Sequence, residues 1–201
     1  MKIIIPMAGS GQRFRDAGYT EPKPLINVDG RPMIEHVINL FSKEQNEYIL
    51  VCNELHLEQI KKVINVGVNL RYIGIEGHKD GPVRTVNYIK EQIGDDEEII
   101  ISYCDYGTQW DYEKFLEEAR TATGGAIAAY VGFHPHMIGK ENYAFIDQEN
   151  MWMKEIREKQ PFTENRMQEY ASNGTYYFKT GAILKKYMEQ LIESKEVAPN
   201  G

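Results

Sequence analysis

Two short runs near the N-terminus combine groups suited to holding a polyphosphate. Ala8-Gly9-Ser10-Gly11 follows Met7 and an apolar stretch, Ile3 to Ile5. It carries no bulky side chain, so its backbone N–H groups can close on an anion. Arg13 adds a fixed positive charge whose donor fork matches phosphate. Lys23 lies between Pro22 and Pro24, which stiffen its backbone and aim its ammonium. Loop, Arg13 and Lys23 together describe a triphosphate cradle. Asp105 follows the strand-like run 98–104. A carboxylate at a strand's C-terminal end suits Mg²⁺, which takes one or two carboxylates plus substrate phosphates. Read alone, Asp105 is equally well a turn aspartate before Tyr106-Gly107.

Other phosphate motifs fit poorly. A dinucleotide fingerprint needs a third glycine where Phe14 stands, and no helix-forming stretch is expected after it, since 16–22 reads as more loop. No Gly-Lys-Ser/Thr follows either. Gly81 and Pro82 open a later helical pattern, and backbone there can bond a base edge; the plainer reading is an ordinary helix start with Pro82 in its first turn. Lys79 and Arg84 reach phosphate or stay solvated. His134-Pro-His136 lacks carboxylate or cysteine partners and reads as a loop leading to Gly139, not a metal site. Asp95 to Glu98 reads as a solvated loop, Asp111 as a helix cap, and Trp152 with Met151 and Met153 as core. No Ser/His/Asp or Cys/His arrangement supports covalent catalysis.

These residues need a scaffold, and the hydrophobic pattern supplies one. Strand-like runs fall at 2–6, 48–52, 69–75 and 98–103. Between them, Ile34, Val37, Ile38 and Phe41 form one helical face, Leu57, Ile60 and Ile64 a second, and Val83, Val86, Ile89 and Ile93 a third. Alternating β and α predicts a Rossmann-like α/β fold, a mostly parallel sheet flanked by helices. Ligands of such sheets bind beyond the strands' carboxyl ends, where the glycine loop and Asp105 fall. After residue 120 the pattern turns to strands, at 125–133, 143–147, 151–158 and 169–178, with a turn at 147–150 and a closing helix over 181–193.

Pro6-Met-Ala-Gly-Ser-Gly-Gln-Arg-Phe with Pro22-Lys-Pro-Leu resembles the signature of the nucleotidyltransferases, which include sugar-1-phosphate nucleotidyltransferases and related small-molecule cytidylyltransferases. The family usually has Leu-Ala where this chain has Met7-Ala8. The resemblance implies a GT-A-like fold and transfer of a nucleotidyl group to a phosphorylated acceptor with release of pyrophosphate. It implies nucleotide contacts from Met7 to Gly11, Arg13, Lys23 and Gly81, with Arg13, Lys23 and Asp105 catalytic and Mg²⁺ on Asp105. Glu155-Ile-Arg-Glu-Lys-Gln-Pro is similar to the family's Glu-Lys-Pro motif with Gln160 inserted, which carries acceptor binding to Glu158 and Lys159; read alone, the run is alternating surface charge on an edge strand. Tyr143, Ala144, Asn173 and Gly174 lie in segments resembling acceptor-lining ones; Gly often stands where Ala144 does.

The chain has 201 residues, enough for one domain. Its formal charge of -7 argues against duplex nucleic acid as partner, and no apolar run reaches membrane length. Two cysteines and no signal sequence suit a cytoplasmic protein. Residues 197–201 read as loop, so a single, C-terminally truncated domain is expected. Its nucleotide-binding half is 1–120; a β-rich, partial acceptor-binding half is 121–201, with the family's second metal carboxylate lying downstream. The expected substrates are a nucleoside triphosphate and a sugar 1-phosphate. The alternative is CTP-dependent transfer to a phosphorylated non-sugar molecule for capsule or cell-surface decoration. The pattern leaves room for a homo-oligomer. A glycosyltransferase would show Asp-x-Asp where Asp105-Tyr-Gly stands, and a non-catalytic nucleotide sensor would release no pyrophosphate.

Overall fold

The computed structural model describes residues 1–42, 46–134, 138 and 143–194. His136, Gly139 and the C-terminal run 197–201 lie outside them. The first strand, β1 (Lys2–Met7), is buried on both faces, as a continuous apolar run requires of a central parallel strand. A five-residue helix, α1 (Gln12–Asp16), follows the glycine loop, then a 3-10 turn at Lys23–Leu25 and a two-stranded ribbon of β2 (Asn27–Val28) and β3 (Arg31–Pro32). Next come α2 (Met33–Ile38), β4 (Glu47–Asn53), α3 (Leu57–Val63), β5 (Leu70–Ile75), α4 (Gly81–Asn87), β6 (Ile99–Ser102) and α5 (Tyr112–Thr121). The second half holds β7 (Gly125–Tyr130), β8 (Ala144–Glu149), β9 (Trp152–Glu158), β10 (Tyr170–Phe178) and α6 (Gly181–Ser194).

The main sheet runs β5-β4-β1-β6-β10-β8-β9, with β7 also on β10. The four strands β5, β4, β1 and β6 are parallel. Everything beyond β6 is antiparallel. Alternate residues of β1 face opposite layers. Ile3 and Ile5 pack with Ile34, Val37, Ile38, Ile60 and Leu116 from α2, α3 and α5. Ile4 packs with Val86, Leu184 and Met188 from α4 and α6. The fold is thus the predicted mixed α/β sheet between two helical layers.

Several expectations need correction. A helix does follow the glycine loop: Gly11 takes a left-handed backbone (φ 63°) and Gln12 Nε2 bonds Asp16 Oδ1 at 2.6 Å, so five residues wind before Gly18 ends the turn. The third helical pattern breaks into α4 and a 3-10 turn at Lys90–Gln92. Trp152, Met151 and Met153 are not core. They are 64%, 77% and 52% exposed, because β9 ends the sheet and no described residue covers it. The acidic run is more than solvated loop: Glu97 holds Lys2, Asp95 holds Lys185, and Glu98 takes a two-pronged bond from Arg120 and one from Tyr177. Asp111 caps α5 as expected, accepting from the Lys114 N–H at 3.0 Å. No helix among the described residues is long and apolar enough to cross a membrane.

Candidate active site

The carboxyl ends of β1 and β6 lie side by side, and the chemistry-bearing loops leave from them. Met7 and Ala8 are buried where β1 ends; Gly9, Ser10 and Gly11 emerge toward solvent. The left-handed turn at Gly11 costs glycine little and would strain another residue. A side chain there would also meet the Lys23 stem at 3.6 Å. Loop and lysine are therefore packed as one unit.

Lys23 Nζ lies 2.6 Å from Asp105 Oδ2. The two residues are 82 positions apart in sequence, and the pair ties the loop after β1 to the loop after β6. Burial works against charge on Lys23, but Cys104 and Asp105 outweigh it and hold its pKa above the ordinary lysine value. The Phe14 ring adds a face 5.4 Å from the ammonium. Cys104 itself is buried and pushed up to about 11, so its thiol is neutral at pH 7. Arg13 stands exposed on α1, near enough to Lys23 to disfavour its charge.

Gly9 forms a parallel bridge with His78, so the glycine loop and the segment entering α4 are strapped together. His78 Nδ1 accepts the Asp80 N–H at 3.1 Å, which leaves Nε2 to donate to Thr85 Oγ1 at 3.0 Å; that hydroxyl donates to the Gly81 carbonyl. The chain of bonds fixes Gly81, the residue expected at the base, relative to the phosphate loop. Sequence reading missed His78, because its role arises only from the bridge. It also missed Arg15, which lines a small cavity of about 40 Å³ with Gly9, Ser10, Gly11, Thr20 and Lys23.

The acceptor candidates assemble next to this group. Tyr143 and Lys159 are joined by the Lys159 N–H to the Tyr143 carbonyl at 3.0 Å. Ala144 lies opposite Glu158 in the β8/β9 ladder, and Lys159 Nζ stands 3.6 Å from Glu158. Burial, with help from Asp105 and Tyr106, raises the Tyr143 pKa. Asn173 and Gly174 form an irregularity in β10, where its pairing with β7 shifts. The buried Asn173 Oδ1 accepts from the Thr175 N–H. The Gly174 carbonyl accepts from the Tyr103 N–H at 3.1 Å. A Cβ on Gly174 would press on the Tyr103 ring at 2.8 Å, and its φ of 86° favours glycine independently.

Below this rim lies a cavity of about 250 Å³, walled by Pro82 and Val83 of α4, Tyr103 just after β6, Tyr176 of β10, and Tyr187 and Met188 of α6. Its lining is almost wholly apolar. Burial, then Tyr176 and Glu158, drive the Tyr103 pKa well up. In the sequence Tyr103 reads as an ordinary strand aromatic, and Tyr176 falls in the segment resembling an acceptor-lining one without a role of its own. The geometry brings Lys23, Asp105, the glycine loop, Gly81 and the acceptor candidates to one end of the sheet.

A sequence profile of the nucleotidyl transferase family matches residues 2–201. The chain belongs to the nucleotidyl transferase family. It is 27% identical over 202 residues to the bifunctional protein GlmU of Methanocaldococcus jannaschii, covering all of this chain and 44% of that protein. It thus spans less than half the length of that relative. A 52-residue stretch, 26% of this chain and 20% of the relative, is 27% identical to the glucose-1-phosphate cytidylyltransferase of Salmonella typhimurium. Among solved structures, the nucleoside-diphosphate-sugar pyrophosphorylase from Vibrio cholerae RC9 superposes with a TM-score of 0.74 at 20% identity, over 97% of this chain and 82% of the other. The fold is therefore the GT-A-like one.

Proposed function

We propose that this protein joins a nucleoside triphosphate to a sugar 1-phosphate and releases pyrophosphate. The reading rests on the 2.6 Å Lys23–Asp105 pair, which sets a cation and a carboxylate between the glycine loop and the acceptor candidates. An acceptor phosphate oxygen attacks the α-phosphorus. The bond to the bridging oxygen of pyrophosphate breaks, and pyrophosphate leaves with the electron pair. No enzyme nucleophile is required, so catalysis rests on positioning and charge stabilisation. Lys23 neutralises charge on the α-phosphoryl oxygens. Arg13 and the N–H groups of residues 8 to 11 hold the β- and γ-phosphates. Gly81 meets the base through its backbone, with His78 and Thr85 holding that backbone in place. Glu158 accepts acceptor hydroxyls and Lys159 meets the acceptor phosphate.

Among the described residues no group of three or more His, Cys, Asp or Glu side chains could cage a metal. Asp105 alone, beside phosphates, is the donor set Mg²⁺ accepts, so the fit is to an ion that arrives with the triphosphate. Mg²⁺ held there supplies neutralisation of phosphate oxygens.

A second reading has its own support. The 250 Å³ cavity is apolar and lined by three tyrosines, which suits a phosphorylated non-sugar acceptor better than one rich in hydroxyls. That acceptor, for capsule or cell-surface decoration, would take its nucleotidyl group from CTP. Pyrophosphate release measured for four nucleoside triphosphates against sugar 1-phosphates and phosphorylated amino alcohols tests both. Turnover with a sugar 1-phosphate supports the first reading, turnover with only the non-sugar set supports the second, and none with any pair contradicts the transferase assignment for this chain.

A further inference from the structure

The strand β9 ends the sheet, and among the described residues nothing pairs with its outer side. Six of its seven residues are exposed. An open edge is usually blunted with charges, and scattered charges would serve in any order. The order here is Lys154-Glu155-Ile156-Arg157-Glu158. Laid antiparallel on itself about Ile156, this segment opposes Lys154 to Glu158 and Glu155 to Arg157, each twice by symmetry. Within β9, a one-residue slip opposes Glu155 to Glu158, or Lys154 to Arg157. A two-residue slip sets Glu155 on Glu155 or Arg157 on Arg157. Opposite charges across a ladder stabilise and like charges destabilise, so one register is selected. Glu155 and Arg157 already meet at 2.7 Å on one face of the strand, which shows that they share the side the pairing requires. The bulge between Asp147 and Gln148 leaves Lys154 the extra residue on β9, so the two Glu155–Arg157 pairs carry the selection.

We infer that β9 pairs antiparallel with β9 of a second copy of this chain, centred on Ile156, to form a two-fold dimer with one continuous sheet. The interface does not depend on which nucleotide or acceptor is used.

Sedimentation equilibrium on the full chain, with and without high salt, tests it together with charge reversals. Glu155→Arg and Arg157→Glu each place like charges opposite and should weaken dimerisation about tenfold or more. The double reversal restores opposite charges and should recover most of the affinity. Ile156→Cys should give a covalent dimer on oxidation, because facing Cα atoms in such a ladder fall within disulfide reach; Glu155→Cys, about 7 Å or more from its copy, should not. The native Cys52 and Cys104 are buried and do not compete. A monomer at every concentration, a dimer indifferent to the single reversals, a double reversal without recovery, or equal cross-linking at 155 and 156 would each overturn the inference.

Discussion

The two halves of the sheet are built differently. The strands β1, β4 and β6 are covered by helices on both faces, and Ile3, Ile4, Ile5, Ile49, Leu50, Ile99 and Ile100 are wholly buried. Among the described residues, the antiparallel lobe's own cluster is Phe145 and Ala171, with Tyr130 and Phe162 against them, and β9 contributes almost nothing to it. Burial on both faces fixes register, because any slip would expose an apolar set. The loops carrying Lys23 and Asp105 therefore leave from fixed points. The lobe that carries Glu158 and Lys159 is lightly packed. Chemistry common to a family is best held by the first kind of scaffold, and acceptor choice by the second, where change costs little stability.

That contrast is open to attack. The largest effect should come from the parallel core. Leu50→Ala should cost about 2–5 kcal/mol in denaturant unfolding, whereas Ile156→Ala on β9 should cost under about 1 kcal/mol. Equal losses would dissolve the distinction between the halves. Next in size, Lys23→Ala should cut turnover about 10²-fold or more with the melting transition nearly unchanged. Glu158→Gln should instead change the ranking of acceptors in kcat/KM more than it changes nucleotide affinity by calorimetry. A parallel loss for every acceptor would place Glu158 in the general chemistry.

A smaller effect concerns pH. The bonds from Arg120, joined by that from Tyr177, hold the Glu98 carboxyl below its ordinary value of 4.5. A depressed carboxylate pKa adds stability that is complete above the unfolded value and is lost as pH falls through the folded one. The advantage of wild type over Glu98→Gln in thermal melts should thus be constant near pH 7 and shrink below about pH 4.5. For so exposed a pair it should not exceed about 1 kcal/mol. An advantage that does not change with acid would mean that the charge contributes nothing.

Legibility followed the same division. The continuous run Ile3 to Ile5 and the helical faces of Ile34 and Ile60 were plain in sequence, because a strand buried on both faces needs unbroken apolar residues. The glycine loop, Lys23 and Asp105 were recognisable as types suited to phosphate, and the structure sets them together. Their roles are proposals. The edge position of β9 was legible in the alternating charges from Glu155 to Lys159 but not in the residues before them. Met151, Trp152 and Met153 are hydrophobic enough for core, and hydrophobicity does not say where a sheet ends. The short α1 was missed because it depends on a left-handed Gly11, and the tether from His78 to Gly81 because it exists only once Gly9 and His78 are bridged. The apolar cavity was invisible for a similar reason: Tyr103, Tyr176 and Tyr187 come from three elements that only tertiary packing joins.

The central claim is that the Lys23–Asp105 pair is the centre of nucleotidyl transfer. Its most direct test is pyrophosphate release by wild type and by Asp105→Asn, with Mg²⁺ and with chelator, on whichever nucleotide and acceptor pair gives the highest wild-type rate. Asp105→Asn keeps the shape and removes the charge. The account predicts Mg²⁺-dependent release by wild type that falls by about 10²-fold or more in the variant. Release that survives chelator, or a variant as fast as wild type, would contradict it.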